Sequence, residues 1–115
     1  MIAAVMIHVS DVNAAIAWYA CAFPRATREK ISMSTFEFEY VDVDGVMLEL
    51  VPADEKISSG VSGSVVYWSV PNLDHALVHF QSLGAELYRG PFEIEDGKRI
   101  CQVRDPWGNC IGLRG

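Results

Sequence analysis

The sequence has no apolar run approaching the roughly 20 residues that a bilayer span requires; its longest is Ile2 to Ile7. Its start lacks a basic leader and a small-residue cleavage site, so it is not read as a signal peptide, and the expected location is cytoplasmic. Basic clusters are also missing. The formal charge is −6 and the sequence pI is near 4.9. That field repels phosphate backbones, so nucleic acid is not expected as a partner, and with no spanning run neither is a membrane. Cysteine is scarce: Cys21, Cys101 and Cys110 are odd in number and form no C-x-x-C pair. A disulfide framework and a thiolate zinc site are therefore not expected, and all three are read as reduced small hydrophobes. No Ser-His-Asp set, phosphate loop or dinucleotide fingerprint stands out.

What the sequence does contain is a repeat of itself. Val9-Ser10-Asp11-Val12-Asn13-Ala14-Ala15-Ile16 resembles Val70-Pro71-Asn72-Leu73-Asp74-His75-Ala76-Leu77, 61 positions on. In each, an apolar strand closes on Val, and an Asp or Asn then stands where a helix N-cap belongs. Asp42-Val43-Asp44-Gly45 and the strand after it resemble Asp105-Pro106-Trp107-Gly108 and its strand, 63 positions on. The change in spacing implies two extra residues in the second copy, expected in the loop Glu93–Lys98. The fold class is thus α+β, with two tandem βαβββ units in one 115-residue domain. Unit one is 1–52, unit two is 64–115, and the Gly- and Ser-bearing segment 53–63 is a linker.

In unit one the pattern predicts strands at Ala3–Val9, Thr27–Ile31, Thr35–Val43 and Val46–Val51, and a helix at Val12–Phe23 stopped by Pro24. Val12, Ala15, Ile16, Tyr19 and Phe23 give that helix one apolar face. In unit two it predicts strands at Ser64–Val70, Glu86–Tyr88, Arg99–Arg104 and Asn109–Leu113, and a helix at Leu73–Leu83 ended by Gly84. Asp44-Gly45 is a two-residue hairpin signal of type I′. It sets Val43 opposite Val46, Tyr40 opposite Glu49 and Phe38 opposite Val51. One face then carries Phe36, Phe38, Tyr40, Met47 and Glu49, and the other carries Glu39, Val41, Leu48 and Leu50. Leu48 and Leu50 suit the helix contact. The aromatic face is left to line a concave, ligand-binding surface.

The paired units, the start His8-Val9-Ser10-Asp11 with Trp18-Tyr19, and the Asp105-Pro106-Trp107-Gly108-Asn109 turn resemble the vicinal oxygen chelate superfamily. That superfamily includes glyoxalases, extradiol dioxygenases and bleomycin-resistance proteins. The resemblance implies small-molecule binding in a cup and a homodimer. It also implies four metal-ligand positions, which carry over to Ala4, Glu49, Val65 and Gly112. Ala, Val and Gly have no donor atoms, and one carboxylate cannot hold a hard divalent cation. No metal and no cofactor is therefore expected. His8 shares the face of Ala4 but lies roughly 13 Å along the strand. His75 and His79 have a zinc-compatible helical spacing without the H-E-x-x-H glutamate, and read as surface residues. The loop residues Glu93, Glu95 and Asp96 read as solvated.

The expected ligand-binding residues are His8, Phe36, Phe38, Tyr40, Met47, Glu49, Tyr67 and Cys110. Glu49 among aromatics is also the one candidate catalytic residue, as a general acid or base. The leading reading is a protein that binds a small organic ligand without chemistry. The alternatives are a lyase or isomerase acting on a small carbonyl or hydroxy compound with Glu49 as base, and a module that has lost its ligand.

Overall fold

In the computed structural model, which describes residues 1–32 and 34–115, each half of the chain begins with a strand that runs into a capped helix. In unit one, β1 (Ala4–Val9) leads to α1 (Val12–Ala22). Asp11 is extended, and its carboxylate accepts from the Ala14 N–H at 3.1 Å. In unit two, β5 (Tyr67–Ser69) leads to α2 (Leu73–Ser82), and Asn72 accepts from the His75 N–H at 2.9 Å. Such caps contribute about 1 kcal/mol each by satisfying an amide that the helix cannot. Pro24 follows the end of α1. Beyond α2, Gly84 takes the left-handed conformation that closes a helix most readily.

Three strands follow each helix. Unit one adds β2 (Thr27–Ser32), β3 (Glu37–Val43) and β4 (Val46–Pro52) in the sheet order β1-β4-β3-β2. Unit two adds β6 (Glu86–Glu93), β7 (Arg99–Arg104) and β8 (Cys110–Arg114) in the order β5-β8-β7-β6. In both, the first strand pairs parallel with the fourth and the remaining pairs are antiparallel. Met6 stands opposite Glu49 and Tyr67 opposite Gly112. Those two pairs are the same place in the two copies, at the spacings the sequence repeat gives. The chain divides between Ser59 and Gly60 into two compact units. Among the described residues, no helix is long and apolar enough to cross a membrane.

Strand alternation decides what each unit buries. Helix α1 packs on β2, β3 and β4, and α2 packs on β6, β7 and β8. Under α1 lie Val9, Val41, Val43, Leu48 and Leu50, against Ala15, Ile16, Tyr19 and Ala22. Tyr19 stacks on Phe23 with ring centroids 6.2 Å apart. Under α2 lie Cys101, Val103, Ile111 and Leu113, against Leu73 and Phe80. Burying a large aliphatic side chain contributes roughly 1.5–3 kcal/mol, so each cluster stabilises its own unit.

The hairpin register agrees with the sequence at its tip. Val43 pairs with Val46, Asp42 with Met47 and Val41 with Leu48, and positive φ at Asp44 and Gly45 makes the turn type I′. The paired positions end there, so the expected opposition of Tyr40 to Glu49 and Phe38 to Val51 is not part of the ladder. Beyond that point β4 continues along β1 and β3 along β2. Three other expectations need correction. Strand β5 is shorter than Ser64–Val70: its pairing with β8 runs only from Tyr67 opposite Gly112 to Ser69 opposite Arg114. Strand β6 runs past Tyr88 to Glu93 through Arg89-Gly90-Pro91, which an edge strand tolerates. The extra residues of the second copy are not confined to Glu93–Lys98. Register shifts interrupt β6 between Leu87 and Arg89 and between Arg89 and Phe92. The turn after β7 is also longer than the Asp44-Gly45 turn.

That longer turn is a hydrogen-bonded knot. Asp105 is 4% exposed, and its carboxylate accepts from the backbone N–H of Trp107 at 2.9 Å and of Asn109 at 2.8 Å. Its own N–H donates to the Asn109 carbonyl. The Asn109 side chain in turn accepts from the Gly60 N–H at 2.8 Å. The D-P-W-G-N motif is therefore a fold element that aims β8. Asp105→Ala should strand two amides and lower unfolding free energy by roughly 2–4 kcal/mol in a urea titration. A loss below about 0.5 kcal/mol would show that the knot is dispensable.

Candidate functional site

One helix covers one face of each sheet, which leaves the other face of that sheet without cover from its own unit. In unit one the register places Ala4, Met6 and His8 of β1 in line with Met47, Glu49 and Val51 of β4. Phe38, Tyr40 and Asp42 of β3 continue the same face, with Thr27, Glu29 and Ile31 of β2 at its edge. Large apolar groups stand open there. Met6 is 55% exposed, and Phe36, just ahead of β3, is 53% exposed. Phe38 and Tyr40 lie with ring centroids 5.9 Å apart and their planes tilted by 31°, an aromatic pair in contact on this face.

The charge on this face has one sign. Glu29, Asp42 and Glu49 stand on it, and neither Lys nor Arg occupies any of its strand positions. Asp42 is engaged in the turn, where its carboxylate accepts from the Gly45 N–H at 3.0 Å. Glu49 is half-buried opposite Met6. His8 is half-buried opposite Val51, near the 54–57 turn. In that turn the Ile57 and Lys56 amides donate to Asp54, and together with the nearby His8 they hold the Asp54 carboxyl below its ordinary range. The structure thus gathers six of the expected residues — His8, Phe36, Phe38, Tyr40, Met47 and Glu49 — on or beside one sheet face.

The other two, Tyr67 and Cys110, lie on the matching face of unit two. Tyr67 is 40% exposed at its edge. Its ring lies across β8 on Gly112, so close that a methyl group on residue 112 would come within 2.5 Å of it. Gly112 is buried for this reason, although it stands on the open face. Across the sheet, the Gln102 side-chain amide on β7 donates to the Tyr67 hydroxyl at 2.7 Å. The Cys110 thiol is placed to donate to the Gln102 side-chain carbonyl at 3.5 Å. Burial, and then the charge of Asp105, push the Cys110 thiol above its ordinary value, so it keeps its proton at neutral pH. Arg104 reaches over the Tyr88 ring, 5.8 Å from its centroid. Phe92 is 52% exposed opposite Ile100.

Sequence reading missed Gln102, whose polarity looked ordinary for a strand. The available signal was Gly112 inside the apolar run Ile111–Leu113. A glycine within a strand marks close approach by another group. The cysteines also differ from one another. Cys101 is buried, with its thiol pushed up by burial, but Cys21 is exposed on α1 and does not serve as a core hydrophobe. No disulfide joins the three.

The residues at the four metal-ligand positions do not fit the ion that the resemblance implies. Ala4, Val65 and Gly112 offer no donor, and the Tyr67 ring occupies the space that a side chain at 112 would need. Among the described residues, no group of three or more His, Cys, Asp or Glu stands together to hold a metal.

Comparison with known proteins places this geometry in context. The glyoxalase family model, described as the Glyoxalase/Bleomycin resistance protein/Dioxygenase superfamily, matches residues 1–113. A glyoxalase/bleomycin resistance protein/dioxygenase family enzyme from Burkholderia phytofirmans PsJN is 19% identical, with 97% of this chain and 95% of that one covered and a TM-score of 0.74. TnmS3, an antibiotic binding protein from Streptomyces sp. CB03234, is 21% identical over 98% of this chain and 93% of its own, with a TM-score of 0.72. TioX from Micromonospora sp. ML1 is 19% identical over 99% and 97%, with a TM-score of 0.66. At these identities the structural likeness speaks for the fold alone. No curated protein matches the chain.

The Tyr67 contact gives a direct test of the unit-two face. Gly112→Ala should push the ring off β8, break its bond to Gln102 and lower stability by about 1–3 kcal/mol. Heteronuclear NMR should show the Tyr67 and Gln102 side-chain signals move together. Unchanged signals in a folded Gly112→Ala protein would mean that the ring does not rest there.

Proposed function

Because the chain belongs to the Glyoxalase/Bleomycin resistance protein/Dioxygenase superfamily, we propose that it binds a small organic molecule against the open, aromatic sheet faces and does so without a metal. The observation that carries this reading is the uncovered apolar surface of unit one. Met6 and Phe36 are more than half exposed beside the Phe38–Tyr40 pair. Solvent-facing aromatic and thioether groups on one sheet face are unfavourable unless something covers them, and a flat apolar ligand gains by doing so. TnmS3, with the same fold, is an antibiotic binding protein. The donor-poor residues at the four metal-ligand positions favour binding over metal chemistry. On the unit-one face Glu29 and Glu49 add negative charge, which there favours neutral or cationic ligands over anionic ones.

The reading includes a cytoplasmic homodimer. Each four-stranded sheet has a face that the helix of its own unit does not cover, as well as edge strands, and association with a second copy is a common way to shelter both. Light scattering at micromolar concentration should then give twice 12.7 kDa. A particle of 12.7 kDa would remove the dimer from the account.

The binding claim is tested with a neutral apolar probe. Nile red should gain fluorescence in the presence of the native protein with micromolar affinity, unchanged by EDTA. Phe38→Ala and Tyr40→Ala should each weaken it by about tenfold, the scale of one lost aromatic contact. Equal affinity in wild type and both variants, or strict dependence on an added divalent metal, would contradict the proposal.

A further inference from the structure

The row Cys110–Gln102–Tyr67 has a direction, and it ends at an open hydrogen. The Cys110 thiol donates to the Gln102 carbonyl oxygen, and the Gln102 amide donates to the Tyr67 oxygen. A phenol that accepts at its oxygen still has one hydrogen to give. Gln102 is the hydrogen-bond partner of Tyr67 among the described residues, and among them that hydrogen has no acceptor. The ring itself is held, because it lies on Gly112, and the hydroxyl is anchored from β7. Tyr67 therefore combines a part-exposed aromatic plane with a fixed donor on the open face of unit two.

We propose that Tyr67 is a specificity-determining residue, whose hydroxyl selects ligands that present a neutral acceptor oxygen, such as a ketone or amide carbonyl, beside a flat apolar body. The inference rests on the binding function proposed above and adds the chemical class of the ligand. The orientation is set by the far end of the row. A protonated thiol at Cys110 satisfies the carbonyl end of Gln102, which turns the amide end toward Tyr67. Tyr67 then meets the ligand as a donor. Were Gln102 reversed, Tyr67 would donate to the protein and offer the ligand only lone pairs.

The test uses two probes of the same shape, 2-acetonaphthone, which carries a carbonyl, and 2-ethylnaphthalene, which does not. Affinities come from NMR titration of the full chain. Wild type should favour 2-acetonaphthone by roughly tenfold, the upper range for one net hydrogen bond. Tyr67→Phe keeps the ring on Gly112, should leave the thermal midpoint near its wild-type value, and should erase the preference by weakening 2-acetonaphthone alone. Gln102→Glu supplies only acceptor oxygens to Tyr67, turns its hydrogen inward, and should erase the preference with the hydroxyl still present. A merely structural role for Tyr67 would change both probes equally, which overturns the proposal. If both probes bind wild type with the same affinity, the selectivity claim falls while the binding function stands. If neither binds, both fall together.

Discussion

The structure depends on a shortage of cover: each four-stranded sheet has only one helix. Strand side chains alternate between two faces, so a single helix can dehydrate half of them and no more. The helix-facing halves obey the usual logic, with Val41, Leu48 and Tyr19 in one unit and Val103, Leu113 and Phe80 in the other buried almost completely. The opposite halves carry Met6, Phe38, Tyr40, Tyr67 and Phe92 on positions that a solvated face would fill with charge. The proposed function follows from that residue choice. A sequence that merely needed solubility would not place its aromatics there.

The two copies meet the same constraint in different ways. In unit one the first and fourth strands meet at Met6 and Glu49, a flexible thioether beside a carboxylate. In unit two the equivalent place is Tyr67 on Gly112. The ring seals that stretch of β8 from above, so unit two has a rigid patch with a polar edge where unit one has an adaptable patch with negative charge. This divergence gives one repeated frame two unlike open faces.

Much of this frame is legible in the sequence, because it rests on local rules. The N-caps Asp11 and Asn72, the left-handed Asp44-Gly45 turn and the spacing of the copies each follow from a few adjacent residues. What could not be read depends on distant ones. The hairpin ladder ends after Val41 and Leu48, and no local pattern reports where β3 and β4 part. The β6 shifts are hidden because Gly90-Pro91 looks like the end of a strand, whereas here it lies within an edge strand. The aromatic character of Phe38 and Tyr40 could be assigned to a face from alternation alone. The place of Gln102 could not, since its role exists only once β5, β7 and β8 lie side by side.

The central claim is that the open face, and not the helix-facing core, receives the ligand. Methyl NMR resolves the two directly, because Met47 and Leu48 are neighbours in β4 that point to opposite sides. On titration with 2-acetonaphthone, signals of the open faces, the Met6 and Met47 methyls in unit one and the Tyr67 ring in unit two, should shift in a saturable manner while those of Leu48 and Leu50 stay near their free positions. Shifts confined to Leu48 and Leu50, or none at either face at millimolar probe, would contradict the account.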